Sequence, residues 1–199
     1  MVRVSDQMGF ELEVPSPPKR IVSLVPSQTE LLAYLGLEKQ VVGITRFCTE
    51  PESWFKQKAR IGGTKDLHIE KILALAPDLV LGNKEENEKA AVEVLKKEVP
   101  VWLSDVRDLD SALAMIGQVS KMCGKGQEGL VLQKEIQAAF AELKPLSRPK
   151  KVAYFIWRKP WMLVGGDTFI DAMLERLGFE NVGRQFSGRY PSLSDAELS

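Results

Sequence analysis

Histidine is almost missing from this sequence: His68 is the only one among 199 residues. Cysteine is nearly as scarce, with Cys48 and Cys123 and no Cys-x-x-Cys pair. A zinc or iron cage of side chains needs several such ligands at recurrent spacing, so no metal site is read here. Two cysteines make no disulfide framework either, and a chain of this length can bury a core without one. A Ser-His-Asp triad would rest on His68 alone, and no Gly-x-Ser-x-Gly elbow presents a serine. Gly-x-Gly-x-x-Gly after the first strand and Gly-x-x-x-x-Gly-Lys-Ser/Thr are both lacking, which leaves dinucleotide and phosphate-loop sites without an argument. No catalytic residue is assigned, and the chain is expected not to be an enzyme.

Surplus charge is also lacking. The 27 Lys+Arg balance 27 Asp+Glu, so no long-range field favours a phosphate backbone, and nucleic acid is not an expected partner. Apolar runs such as Ile21 to Val25 or Leu79 to Leu81 fall far below the roughly 20 residues of a membrane-spanning helix. The first ten residues, MVRVSDQMGF, lack the apolar stretch of about 7 to 15 residues that a secretory signal requires. Either the protein stays inside the cell or a signal has been removed.

What is present is an ordinary globular composition, 44% apolar and 27% charged. Arg3 to Pro15 reads as a small hairpin turning at Asp6 to Gly9. Ile21 to Val25 reads as a buried strand, Ser27-Gln28-Thr29-Glu30 as a capping box, and Thr29 to Leu35 as the helix it opens, closed by Gly36. The alternation continues: strand Val41 to Ile44, an irregular stretch Thr45 to Asp66, helix Ile69 to Ala76, strand Leu79 to Gly82, charged helix Asn83 to Lys97 and strand Val99 to Leu103. Continuous apolar strands alternating with amphipathic helices predict a mostly parallel sheet covered on both faces.

A helix Asp108 to Met122 follows, then a break at Gly124-Lys125-Gly126. A second helix, Gln127 to Leu143, has Leu132, Ile136, Phe140 and Leu143 along one face. Beyond Pro149 a new α/β unit begins, with strand Lys151 to Trp157, its neighbour Trp161 to Val164, and a helix Phe169 to Leu177 capped by Asp167. Ser194 to Glu197 is a further capping box. The expected organisation is an N-terminal α/β lobe over residues 1–123, a backbone helix over 124–145 and a partial C-terminal α/β lobe over 146–199. The last is too small for an independent core, so the sequence is expected to be a truncated form of a longer protein.

Open parallel sheets place ligands at the carboxyl ends of their strands. There stand Ser27, Arg46-Phe47-Cys48, Asn83-Lys84 and, in the second lobe, Trp157-Arg158. Ser27 either caps its helix or faces a ligand, and Phe47 is either core or contact. Trp157-Arg158-Lys159-Pro160-Trp161 sets two indoles around two cations, a combination suited to a flat, partly anionic ligand by stacking and charge.

Arg20 to Glu30, Gly43, Ile61-Gly62-Gly63-Thr64, Ile69 to Val80, Gly165 to Ile170 and Arg189 to Ser194 together closely resemble one family. This is the substrate-binding proteins of ABC importers for cobalamin, iron siderophores and haem, the helical-backbone metal receptors. The resemblance implies two Rossmann-like α/β lobes joined by one long helix. A small-molecule metal chelate would sit in the cleft between them, be passed to the transmembrane permease subunits, and work at the periplasmic or extracytoplasmic face. It implies no bound cofactor, because the chelator already satisfies the transported iron or cobalt. By position, Phe47 and Trp157 look like the aromatic residues that cover the corrin in the cobalamin branch. Asn83 and Thr64 stand where that branch carries tryptophans. The ligand-binding set expected on this resemblance is Ser27, Phe47, Thr64, Asn83, Trp157 and Arg158. Glu70 matches one permease-docking carboxylate. At the second, Ala196 occupies the position and Glu197 adjoins it. The rival reading, an enzyme or chelatase acting on a bound tetrapyrrole, would need His68 as its base.

Overall fold

The computed structural model describes residues 1–194 and 197. The chain divides into two compact units, Met1–Asp105 with Met115–Leu132, and Val106–Ala114 with Gln133–Ser199.

The first unit opens with an antiparallel hairpin of β1 (Val2–Ser5) and β2 (Glu11–Val14). Asp6 closes the turn, its Oδ1 accepting the Met8 and Phe10 N–H groups at 2.9 and 2.8 Å. After it come β3 (Ile21–Ser23), α1 (Pro26–Tyr34), β4 (Val41–Ile44), α2 (Glu52–Gln57), β5 (Ala59–Arg60), α3 (Ile69–Ala74), β6 (Leu79–Asn83), α4 (Lys89–Leu95) and β7 (Val101–Ser104). The five strands from β3 to β7 form a parallel sheet in the order β5-β4-β3-β6-β7. The chain builds outward from β3 to β5, then returns to the other side of β3 for β6 and β7. Such a reversal leaves a crevice at the carboxyl ends of the two strands that flank it, here β3 and β6.

Ile21, Val22, Leu79, Val80 and Leu81 are wholly buried, which explains their uninterrupted apolar runs: a parallel sheet is covered on both faces. Gly43 permits the packing over β4, since a Cβ there would lie 2.6 Å from Leu75 Cδ1. Trp102 is the largest fully buried side chain, and its indole N–H donates to Ser5 O at 3.2 Å, tying the hairpin to β7.

Three boundaries differ from the sequence reading, each for a local reason. The helix α1 starts at Pro26, whose fixed φ suits a first helical position, and Ser27 makes no capping bond. The charged helix starts at Lys89 and not at Asn83, because Asn83 and Asn87 fold the intervening residues into a side-chain-bonded turn. The stretch from Thr45 to Asp66 is less irregular than expected and contains α2 and β5.

Two helices contribute residues to both units: α5 (Leu109–Met122) and α6 (Gly126–Ala141). Along α6, Leu132, Ile136 and Phe140 are half-buried, while Leu143 lies past its end and is exposed. In the second unit β8 (Lys150–Val152) and β9 (Phe155–Trp157) replace the single strand expected, and they belong to different sheets. With β10 (Trp161–Leu163), α7 (Phe169–Arg176), β11 (Phe179–Asn181) and β12 (Ser192–Leu193) they give a parallel β8/β11 pair and an antiparallel sheet in the order β12-β10-β9. Thr168, not Asp167, caps α7, its Oγ1 accepting the Asp171 N–H at 3.2 Å. Asp171 is buried and accepts from Asn181 Nδ2 at 2.8 Å and Arg184 Nε at 2.7 Å, which fastens α7 to the strand that follows.

Candidate functional site

In the first unit the carboxyl ends of β3, β6 and β7 meet in a layer of amides and hydroxyls. Gln28 Nε2 donates to Gly82 O and to Ser104 Oγ, both at 2.9 Å, and Asn83 Nδ2 donates to the same Ser104 Oγ at 3.0 Å. Asn87 Oδ1 accepts the Asn83 N–H at 2.8 Å, and its Nδ2 donates to Thr64 O at 3.0 Å. Gln28, Thr64, Asn87 and Ser104 are all buried. Asn83 is half-buried, and its Oδ1 serves the turn by accepting the Glu85 and Glu86 N–H groups at 2.9 and 3.1 Å. These bonds hold the floor on which neighbouring groups stand, and within it Gln28 Oε1 is buried with no hydrogen-bond partner among the described residues. Ser27 stands beside that floor, exposed.

Phe47 projects from the loop after β4 with half its surface exposed. The Arg46 guanidinium lies over its ring, Cζ 5.1 Å from the centroid. Asp66 grips that guanidinium at both ends, Nη1 to Oδ2 at 3.0 Å and Nη2 to Oδ1 at 3.1 Å. Gly63 makes the cluster possible. A Cβ there would come within 2.2 Å of Asp66 Oδ1 and 3.0 Å of both Arg46 Nη2 and Phe47 Cε2. Below the plate Cys48 is wholly buried, its Sγ hydrogen-bonded with Thr29 Oγ1 at 3.1 Å and Thr45 Oγ1 at 3.2 Å. His68 is exposed at the N-terminal boundary of α3, and Glu70 is exposed in that helix's first turn.

In the second unit Trp157 ends β9 and is the most exposed tryptophan, at 63%. Arg158 reaches over Trp161, with Cζ 5.4 Å from the ring centroid. These two residues line a cavity of about 430 Å³ with Lys159, Pro160, Leu193 and Ser194. Glu197 Oε2 accepts from the Ser194 hydroxyl at 2.7 Å and its N–H at 2.9 Å, which holds the Glu197 carboxyl below its ordinary range. Ala196 lies outside the described residues.

The sequence reading missed a second charged cluster in this unit. Arg189 Nη2 and Nε lie 2.9 and 3.1 Å from Asp167 Oδ2, and Arg107 Nη1 lies 3.4 Å from Asp167 Oδ1. The hydrogen bonds and charge of Arg189, with a smaller contribution from Arg107, hold the Asp167 carboxyl below its usual range. The three residues are 60 and 22 positions apart, a separation at which no local pattern signals contact.

Among the described residues no group of three or more His, Cys, Asp and Glu is placed to hold a metal ion, and no helix is long and apolar enough to cross a membrane. What the two units offer is exposed aromatic surface next to fixed guanidinium groups.

The family model described as periplasmic binding protein matches residues 21–198. The chain is 28% identical to an uncharacterized ABC transporter substrate-binding lipoprotein, YvrC, of Bacillus subtilis, over 94% of this chain and 62% of that protein. It is 28% identical to the vitamin B12-binding protein of Vibrio campbellii, over 89% of this chain and 66% of the relative. The chain thus spans somewhat under two thirds of the length of these two relatives. Among solved structures it superposes on the periplasmic haem-binding protein HutB of Vibrio cholerae with a TM-score of 0.74 and 26% identity, covering 90% of this chain and 71% of that one.

Proposed function

The chain belongs to the periplasmic binding protein family, and on that premise we propose that it is the solute-capturing component of an ABC importer, taking up a metal chelate and handing it to a membrane permease. The observation that carries this reading is the Phe47 plate. An apolar ring half exposed at the carboxyl end of a parallel sheet, fixed by Arg46 and Asp66, is built to lie against a flat partner. A chelator that already satisfies its metal asks the protein for shape, stacking and a few charges, not for coordinating side chains. The scarcity of His and Cys fits that division of work.

In this proposal the first unit offers Ser27 and Phe47 to a ligand, and the second unit, taken by itself, offers Trp157 and Arg158. Thr64 and Asn83 act beneath, through the buried polar layer. The exposed carboxylates Glu70 and Glu197 are the groups offered to the permease, and the protein works on the extracytoplasmic side of the membrane. The similarity to proteins named for vitamin B12 and for haem supports a tetrapyrrole-sized ligand.

Titrating the purified chain with cyanocobalamin, hemin and a ferric siderophore while following tryptophan emission tests the reading. Saturable quenching by at least one of them is expected, with Trp157 as reporter. A folded sample that responds to none of the three contradicts it.

A further inference from the structure

The N-terminal hairpin is sealed along one strand and open along the other. Val2 stands opposite Val14 and Val4 opposite Leu12, so these side chains share one face of the hairpin. Val14 and Leu12 are buried, at 0% and 8%, whereas Val2 is 38% exposed and Val4 half-buried. Apolar residues on a covered face keep that much surface open only where the packing against them is incomplete. The gap is a cavity of about 440 Å³ bordered by β1 and α5, a size within the roughly 300–1,000 Å³ of small-molecule sites. Val2, Val4 and Met122 wall it, and the wholly buried Trp102 closes it from behind, its indole N–H already donated to Ser5 O at 3.2 Å. This part of the lining offers carbon and no free donor.

The rim on α5 has the opposite character. Gln118 and Lys121 line the same cavity at a spacing of three residues, which makes them neighbours on the helix surface. Neither side chain has a hydrogen-bond or ion-pair partner among the described residues. No carboxylate lines the cavity. Arg3, the other cation in the lining, is paired with Glu11, Nη2 to Oε2 at 3.2 Å, so the uncompensated ammonium is that of Lys121. An ammonium and an amide at the mouth of an apolar hollow suit a ligand that is apolar at one end and anionic at the other. Burying the tail draws on the hydrophobic effect, and Lys121 gives the head a charge-assisted hydrogen bond.

We propose that this cavity binds a small amphiphilic carboxylate, its tail against Val2, Val4 and Met122 and its head at Lys121 and Gln118. The cavity lies wholly within the first unit and shares no residue with Ser27, Phe47, Thr64 or Asn83. It is a second site, independent of the carrier reading.

Amide NMR of the isotope-labelled full chain tests this with butanoate, hexanoate and octanoate, and with octanamide as the neutral counterpart of octanoate. Shifts are expected at Val2 to Ser5 and at Gln118 to Met122, with affinity rising about three- to fourfold per added methylene as the tail is buried. Octanoate is expected to bind roughly 5-fold or more tightly than octanamide. Lys121→Met keeps an apolar stem at an exposed helical position and brings the two within about twofold. No shift at these residues up to about 10 mM probe, an affinity flat with chain length, or equal binding of octanoate and octanamide by the wild type overturns the inference. A ratio unchanged in the folded Lys121→Met variant does so as well. Either result leaves the carrier reading to its own titration with hemin, cyanocobalamin and siderophore.

Discussion

Arg46 and Phe47 are neighbours in sequence and partners in space, the guanidinium of one lying 5.1 Å above the ring of the other. Adjacent residues in an extended segment point apart, so the pairing needs the turn that Thr45 and Cys48 close, where the Cys48 N–H donates to Thr45 O at 3.2 Å. It also needs Asp66 to reach across and hold the guanidinium. The consequence is an aromatic surface that meets a ligand without first having to be ordered.

Replacing Asp66 with Ala removes the grip and leaves the plate mobile. Both Arg46 and Asp66 are more than half exposed, so the stability cost is at most about 1 kcal/mol. Ligand affinity falls further than stability does. Thermal denaturation and the fluorescence titration, run on the same variant, separate the two effects.

Trp102 behaves differently, because it is wholly buried and its indole N–H holds the hairpin through Ser5 O. Trp102→Ala is expected to lower unfolding free energy by about 3–5 kcal/mol in urea titration. Trp102→Phe costs less and removes the indole bond, while Gln7 keeps the hairpin bonded to Leu103 O at 3.0 Å and to the Asp105 N–H at 2.9 Å. Limited proteolysis within the first 14 residues is the check, since cleavage there speeds up only if the indole bond anchors the segment.

Asp171 is a buried carboxylate with two charge-assisted or amide partners, Arg184 and Asn181. Its replacement by Ala removes both bonds between α7 and the segment that follows β11's start, leaving Asn181 Nδ2 its bond to Val164 O at 3.0 Å and Arg184 its pairing with Glu175 at 2.7 Å. The expected loss is on the order of 2–4 kcal/mol, while Arg176→Ala, an exposed change on the same helix, stays within about 0.5 kcal/mol.

The pH dependence follows from the shifted groups. Asp108, through bonds from Ser111, and Glu175, through Arg184, are held below their ordinary values of 3.8 and 4.5. A depressed carboxylate contributes stability that is complete above its unfolded value and is lost as pH falls through the folded one. Melting temperature is thus expected to stay level from neutral pH down to the ordinary carboxylate range and to drop below it. Burial pushes the Cys123 thiol from 9.0 up to about 12, so the opposite sign applies: its contribution is complete below pH 9.0 and fades as pH rises toward the folded value. In the native protein Cys48 and Cys123 are both buried, and mass spectrometry after iodoacetamide treatment at pH 8 is expected to show neither modified until urea is added.

Much of the first unit was legible because its strands are continuous apolar runs and its helices start and stop at Pro and Gly. Boundaries failed where side chains compete with the backbone for hydrogen bonds. Asn83 and Asn87 read as the start of a charged helix and instead fold a turn, and Asp167 yields its capping place to Thr168. Loop residues before and after strands could be named as candidates, since strand ends are visible in sequence. The buried layer of Gln28, Asn87 and Ser104 could not, because its partners lie 22 to 76 residues apart. Arg107, Asp167 and Arg189 escaped for the same reason.

In the proposed carrier the Phe47 ring is a binding surface and not a stray exposed aromatic. Isothermal titration of Phe47→Ala against the wild type, with whichever of hemin, cyanocobalamin or ferric siderophore the wild type binds, tests it most directly. A loss of about 1–2 kcal/mol in binding, roughly 5- to 30-fold, with an unchanged melting temperature is the predicted result. Wild-type affinity in the folded variant would contradict the account.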